Sequence, residues 1–356
     1  MRAALRYLGK RLVWALVIVL GVGTLAFFMS RVLPGDPTRM LLGPQARPAD
    51  VVQARHIYGL DRPVGAQYFL FWKRLLHRAP PRSDADVPGS NPSRARPDPD
   101  HASCAELPLG LHLDLGFSFT YGRPVVALIR EKAPRTAELA VAALLIQAFI
   151  GLGIGLAAAT RRGSSWDQLL VGITLVGVSA PTFVLGLVLQ YLLAYKLGWL
   201  PYDGYGTSTA EHLRSLALPA LTLGIFGAAL YARLAREELS GTLGADFVRT
   251  ARAKGASELR VLVVHALRDA LLPIVTLLVL DLGTLLGGAV VTERLFRWPG
   301  MGQMTVDALV NRDGPVVFGT VLFSALAIVL ATVLLDVLYV LLDPRLRRSG
   351  SGPEGR

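Results

Sequence analysis

Six long apolar runs, at about 12–30, 136–159, 168–196, 216–234, 272–291 and 316–342, alternate with polar or charged connections. About 20 residues at 1.5 Å rise each cross a hydrocarbon core of roughly 30 Å, so the pattern predicts six membrane-spanning helices. Gly151 and Gly155, four apart in the second run, let a neighbouring helix pack closely. Ser179-Ala180-Pro181 interrupts the third, where the proline removes a backbone bond; a kink and a binding role are both open there. Asp281 stands near the middle of the fifth, where a charge is costly unless it faces water or a partner. At about 100° per residue Thr284, Gly288 and Thr292 share its face, while Gly283 and Gly287 lie nearly opposite, on a side suited to close packing. Either Asp281 lines a path and favours a cationic solute group, or it bonds to a neighbouring helix.

Between the fourth and fifth runs lies a charged stretch from Asp246 to Pro273, DFVRTARAKGASELRVLVVHALRDALLP. Phe247, Val248 and Ala251 fall on one side of a short helix whose other residues include Arg249, Arg252 and Lys254, and Gly255 supplies a left-handed stop. Ser257 is placed to cap a second helix, in which Leu259, Leu262, Val263, Ala266 and Ala270 follow an amphipathic spacing. Pro273 marks entry into the next apolar run. Thr250, Ala251 and Ala253 are small enough for another surface to approach the backbone, and the cations around them suit a solvated docking rim. An ordinary basic loop is the plainer reading.

The stretch 38–133 is polar, with a mixed aromatic and apolar patch at 57–76 that predicts short helices on an outer surface. Residues 79–105 are rich in Pro, Ser and Asp and nearly lack large apolar side chains, which predicts a disordered insertion. Arg2, Arg6, Lys10 and Arg11 precede the first run, Arg161 and Arg162 follow the second, and Arg345, Arg347 and Arg348 follow the last. Six spans with both ends in the cytoplasm put every short Arg-rich connection on one side. A cleaved signal peptide is the competing reading of 12–30, but the run is long for one and no small-x-small site follows.

Hydrophobic residues make up 52% of the 356 and charged ones 18%. With a mean hydropathy of +0.46, this is membrane-class composition. The net charge of +11 would suit nucleic acid, yet the cations cluster beside apolar runs, so topology explains them better. Cys104 is the single cysteine and forms no intramolecular disulfide. The chain has no GxxxxGK[ST] phosphate loop, and its six histidines, His265 among them, make no metal-ligand spacing. No catalytic, metal or cofactor residues are expected.

The Asp246–Pro273 stretch resembles the cytoplasmic coupling loop of ABC importer permeases, whose pattern is Glu-Ala-Ala, three residues, Gly, and a later Leu-Pro. Arg249-Thr250-Ala251 stands in the Glu-Ala-Ala place, Gly255 matches, and Leu272-Pro273 closes it at a longer spacing. TARAKG followed by HALRDALLP is similar to the membrane subunits of dipeptide, oligopeptide and nickel importers. So are RVLPGDP at 31–37, IYGLDRPVGAQYFLFW at 57–72, Leu113 to Gly116, Gly122 to Val125, KLGWLPYDGYG at 196–206, and the expected folded outer-face loop with LFRWPGMGQM and VNRDGP. The 79–105 insertion departs from the family.

The resemblance implies an all-α, six-span type I ABC importer permease fold in a bacterial-type plasma (inner) membrane. Divided by that reading, 1–30 holds the first span, 31–133 is extracytoplasmic, 134–342 is the core with its coupling loop at 235–272, and 343–356 is a cytoplasmic tail. It implies docking through Arg249, Thr250, Ala251, Arg252, Ala253, Lys254 and Gly255. The implied partners are a second homologous permease subunit, two ATP-binding ATPase subunits and an extracytoplasmic substrate-binding protein, in membrane lipid and without nucleic acid. The solute would be a di- or oligopeptide or a related small molecule. An ion-coupled secondary transporter is the alternative, though it usually buries several charges at mid-membrane, and here only Asp281 lies near a span centre. An intramembrane enzyme would need paired acids or a nucleophile with a base, which the runs lack.

Overall fold

The computed structural model describes residues 2–32, 45, 47–57, 61–78, 104–107 and 111–342. The insertion from 79 to 103, residues 33–37 of RVLPGDP and the tail from 343 with Arg345, Arg347 and Arg348 lie outside them. The described chain is mostly helical, as the apolar runs require: α1 (Arg2–Val32), α2 (Pro48–Ile57), α3 (Val64–Leu75), α4 (Val125–Thr160), α5 (Ser165–Ser179), α6 (Thr182–Lys196), α7 (Thr209–Leu243), α8 (Asp246–Ala253), α9 (Glu258–Leu286), α10 (Val290–Leu295), α11 (Met301–Val310) and α12 (Gly314–Leu342). A small antiparallel sheet joins them, β1 (Leu76–Arg78), β2 (Cys104–Leu107) and β3 (Leu111–Asp114), with β3 central. Strands of three or four residues are too short to show alternation, so the sheet was not expected, and β2 takes Cys104 and Ala105 out of the predicted disorder.

Four helices among the described residues, α4, α7, α9 and α12, are long and apolar enough to cross a membrane. They fall on the second, fourth, fifth and sixth runs. The apolar part of α1 is shorter, Leu16–Phe28. The third run is divided: α5 ends at Ser179 and α6 starts at Thr182, because Pro181 disfavours helix at the residue before it and has no N–H for the ladder. The interruption is a full break rather than a bend.

The contacts divide the chain into two compact units. The first comprises 1–17, 133–303 and 324–356. In it α4 and α7 touch through Gly151 and Gly155: a Cβ on Gly151 would lie 2.4 Å from Tyr231 Cβ, and one on Gly155 would lie 2.6 Å from Ala235 Cβ. Ala159, Tyr231, Ala235, Leu239, Ala266, Ala270 and Ile274 form one buried cluster of α4, α7 and α9. Helix α7 starts at a capping box in which Ser208 Oγ accepts from Glu211 N at 3.3 Å while Glu211 Oε2 accepts from Ser208 N. On the far side of α9, Gly283 admits Ala331 of α12, whose Cβ would sit 2.7 Å from an added Cβ.

The second unit comprises 18–132 and 304–323. Aromatic packing holds it, with Phe71 of α3 edge-on to Phe318 at 4.5 Å between ring centres and Phe27 against Tyr68 at 5.4 Å. Buried Asp313 ties the loop before α12 to residues 118–120 by accepting from Ser118 Oγ at 2.6 Å and Thr120 N at 2.9 Å.

Replacing Gly151 with Leu forces α4 from α7 and is expected to cost about 1–3 kcal/mol, seen as a lower unfolding midpoint in detergent. Gly153→Leu, at a glycine with nothing within 4 Å, is expected to leave the midpoint unchanged.

Candidate functional site

Between α7 and α9 the charged stretch forms two helices joined at a glycine. In α8 the apolar side is narrow: Val248 is fully buried, Ala251 half-buried and Phe247 exposed. Thr250, Arg252, Ala253, Lys254 and Gly255 are exposed, and Arg249 is too, with only a loose 3.6 Å approach to Asp246. The helix stops in a paired hydrogen-bond turn, Gly255 N to Arg252 O at 2.9 Å and Ala256 N to Ala251 O at 3.2 Å, with Gly255 at φ +80°. Nothing lies within 4 Å of where a Cβ on Gly255 would be, so the turn borders open space. The stop falls where the sequence put it, and of the small residues before it Thr250 and Ala253 are exposed while Ala251 is half-buried.

Arg252 is more constrained than its exposed position suggests. Its guanidinium forks onto Glu258, Nε to Oε1 at 2.9 Å and Nη2 to Oε2 at 3.0 Å, and so bridges α8 to the first turn of α9. Both side chains are exposed, so the bridge orients more than it stabilises. Ser257 occupies the cap position of α9, but its side chain makes no capping bond.

The expected apolar face of α9 needs correction. Leu259 and Val263 are exposed, whereas Val261, Ala266 and Ala270 are buried. The cause is a π-helical turn at Val261–Ala266, which fits an extra residue into the turn and rotates the upstream side chains away from the face below.

Asp281 lies further along α9. Tyr231 Oη of α7 donates to its Oδ2 at 3.2 Å, and Thr284 Oγ1 donates to its backbone O at 2.8 Å and approaches its Oδ1 at 3.3 Å. Thr284 therefore shares its surroundings as expected. Gly288 and Thr292 do not share its helix face, because α9 ends at Leu286 and Gly288 turns the chain at φ +115°. There the backbone meets Gly302, whose N and Cα would lie 3.0 Å from a Cβ on Gly288. Thr292 belongs to α10 and is buried. Gly283 and Gly287 do pack closely, the latter accepting from Ser324 Oγ at 2.8 Å.

Two polar nodes in this unit escaped the sequence reading. Glu293 is fully buried under LFRWPGMGQM, accepting from Thr136 Oγ1 at 2.8 Å and Gln303 N at 3.0 Å. Thr136 Oγ1 also accepts from Met301 N at 2.7 Å, and Trp298 Nε1 donates to Arg135 O at 2.9 Å. Burial pushes the Glu293 carboxyl above its ordinary range, against the pull of these donors. The available signal was Gly300, where any Cβ would meet the carboxylate at 2.5 Å. The other node is Asp167, in the first turn of α5. The Arg236 guanidinium beside it and the Gly163 amide hold its carboxyl down to about 2, so it is ionised at any physiological pH. Among the described residues no cluster of His, Cys, Asp or Glu is arranged to hold a metal ion.

Residues 151–348 match the family described as the binding-protein-dependent transport system inner membrane component, and residues 4–88 match the N-terminal part of such membrane components. The chain is 34% identical to a glutathione transport system permease protein of Salmonella typhimurium over 96% of its own length and 99% of the relative's. It is 36% identical to a putative peptide transport system permease protein of Brucella abortus, over 95% and 98% respectively. A solved inward-facing MetNI methionine ABC transporter chain is 20% identical, covers 64% of this chain and 98% of its own, and superposes with a TM-score of 0.46.

Proposed function

Because this chain belongs to the binding-protein-dependent transport inner-membrane components, the permeases of ABC importers, we propose that it forms half of a path for peptides or peptide-like solutes. A permease of this kind works with an ATP-hydrolysing partner and a solute-binding protein. The finer assembly in this reading has two homologous permeases, two ATPase subunits in the cytoplasm and one binding protein outside. The chain itself carries no phosphate loop, so ATP is hydrolysed by the partners.

The observation that carries the reading is the surface at α8 and Gly255, small and open in the middle and cationic around it, set between two apolar helices. Arg249 to Gly255 dock on an ATPase subunit, and closure of the ATPases moves the docked segment with α7 and α9. The topology that serves this has six spans with both ends in the cytoplasm; a reporter at Pro92 and one at the C-terminus are expected on opposite sides, and a cytoplasmic signal from Pro92 refutes it.

An Ala251→Glu variant places a bulky charge on the docking surface. It is expected to insert normally but to lose ATPase co-purification and solute uptake; normal values of both would remove this segment from coupling. Asp281 contributes in a second way: with Thr284 beside it, it lines the solute path and favours a cationic group such as a peptide amino terminus. Asp281→Asn keeps the shape and removes the charge. Uptake of a cationic peptide is expected to fall while assembly and basal ATP hydrolysis persist. Loss of assembly, or unchanged uptake, assigns Asp281 to helix contact alone.

A further inference from the structure

Asp167, in the first turn of α5, ties α5 and the turn before it to α7, against which α5 also packs. Asp167 is 3% exposed, and both carboxylate oxygens are engaged. Arg236 Nε donates to Oδ1 at 2.6 Å, Arg236 Nη2 to Oδ2 at 2.8 Å, and Gly163 N to Oδ2 at 2.9 Å. The amide of Asp167 donates to Ser164 Oγ at 3.2 Å, closing the turn on itself. Arg236 lies two turns, or about 10 Å, before the end of α7 at Leu243, and the chain then leads directly into α8. The preceding residue, Ala235, packs against Gly155 and belongs to the cluster that includes Ala266, Ala270 and Ile274 of α9.

Helices α4, α5, α7 and α9 therefore converge at the base of the docking segment by two kinds of contact. Apolar packing joins α4, α7 and α9, and α5 also rests on α7; burial of this kind is non-directional. A guanidinium forked onto a carboxylate fixes both distance and direction. The Arg252 to Glu258 fork does not serve this purpose, since it joins α8 only to the start of α9.

We propose that Asp167 and Arg236 are positioning residues that act as a transmission strut, carrying displacement of the α8–α9 segment into α5 so that solute movement follows ATP turnover. The inference rests on the permease reading above. It is tested in the assembled complex, reconstituted in vesicles, by measuring solute uptake and ATP hydrolysis together in Asp167→Asn, Arg236→Gln and the double variant. Each variant is expected to assemble, and uptake per ATP hydrolysed to fall roughly three- to thirtyfold, the range for removing one contact from a coupled network. Because the two side chains act as a unit, the double variant is expected to be no worse than either single one. Arg236→Lys keeps the charge but loses the fork and should give an intermediate ratio. An unchanged ratio, additive losses in the double variant, or failure of every variant to assemble would overturn the strut. Uptake by the unaltered complex without ATP hydrolysis would overturn the permease reading and the strut with it, which separates that failure from failure of the strut alone.

Discussion

Where α4 and α7 meet, Gly151 and Gly155 let one backbone lie against the other: a Cβ at either would come within 3 Å of Ala228 O or Ala232 O respectively. Lipid tails are as apolar as leucine, so burial alone gives two such helices little reason to associate; close van der Waals contact supplies it. The consequences run down the chain. Tyr231 and Ala235, which face those glycines, also border the cluster shared with α9, and Tyr231 reaches Asp281 with its hydroxyl. Arg236 follows immediately and meets Asp167. Two missing side chains on α4 thereby fix where α7 sits, and α7 sets the place of α8 and of the one acid near the middle of α9.

Polar contacts add direction to that packing. Beneath Trp298 to Gly300, Glu293 gathers Thr136 and the amide of Gln303 around one buried carboxyl, so a short irregular segment is held against the start of α11. Burying a carboxyl is costly unless its oxygens find donors, and here the donors come from α4 and from the start of α11. In the other unit Asp313 does the same for the loop before α12 through Ser118 and Thr120. Both acids sit beside glycines or turns rather than within the long apolar helices.

Much of this was legible from the sequence because the membrane imposes a simple code. Length and apolarity located the helices, a pair of glycines on α4 announced a close helix contact without naming its partner, and Gly255 announced its own left-handed turn. What failed did so for identifiable reasons. Pairing at long separation, such as Thr136 with Glu293 or Asp167 with Arg236, leaves no periodic trace. A face drawn at constant α-helical pitch misplaced Leu259 and Val263, because a π turn intervenes, and misplaced Gly288 and Thr292, because the helix ends first. The sheet was invisible because its strands are shorter than any pattern that would reveal them.

The π turn at Val261–Ala266 also makes the azimuth of α8 a matter of counting. Each residue in an α-helix advances the chain by about 100°, so one residue more or less within this turn swings everything upstream through more than a quarter circle. Below the turn, Ala270 and Ile274 keep their seats against α7 whatever the count above them. A single insertion or deletion at 261–266 therefore re-aims α8 around the α9 axis and displaces Ala266, the one member of that buried cluster inside the turn.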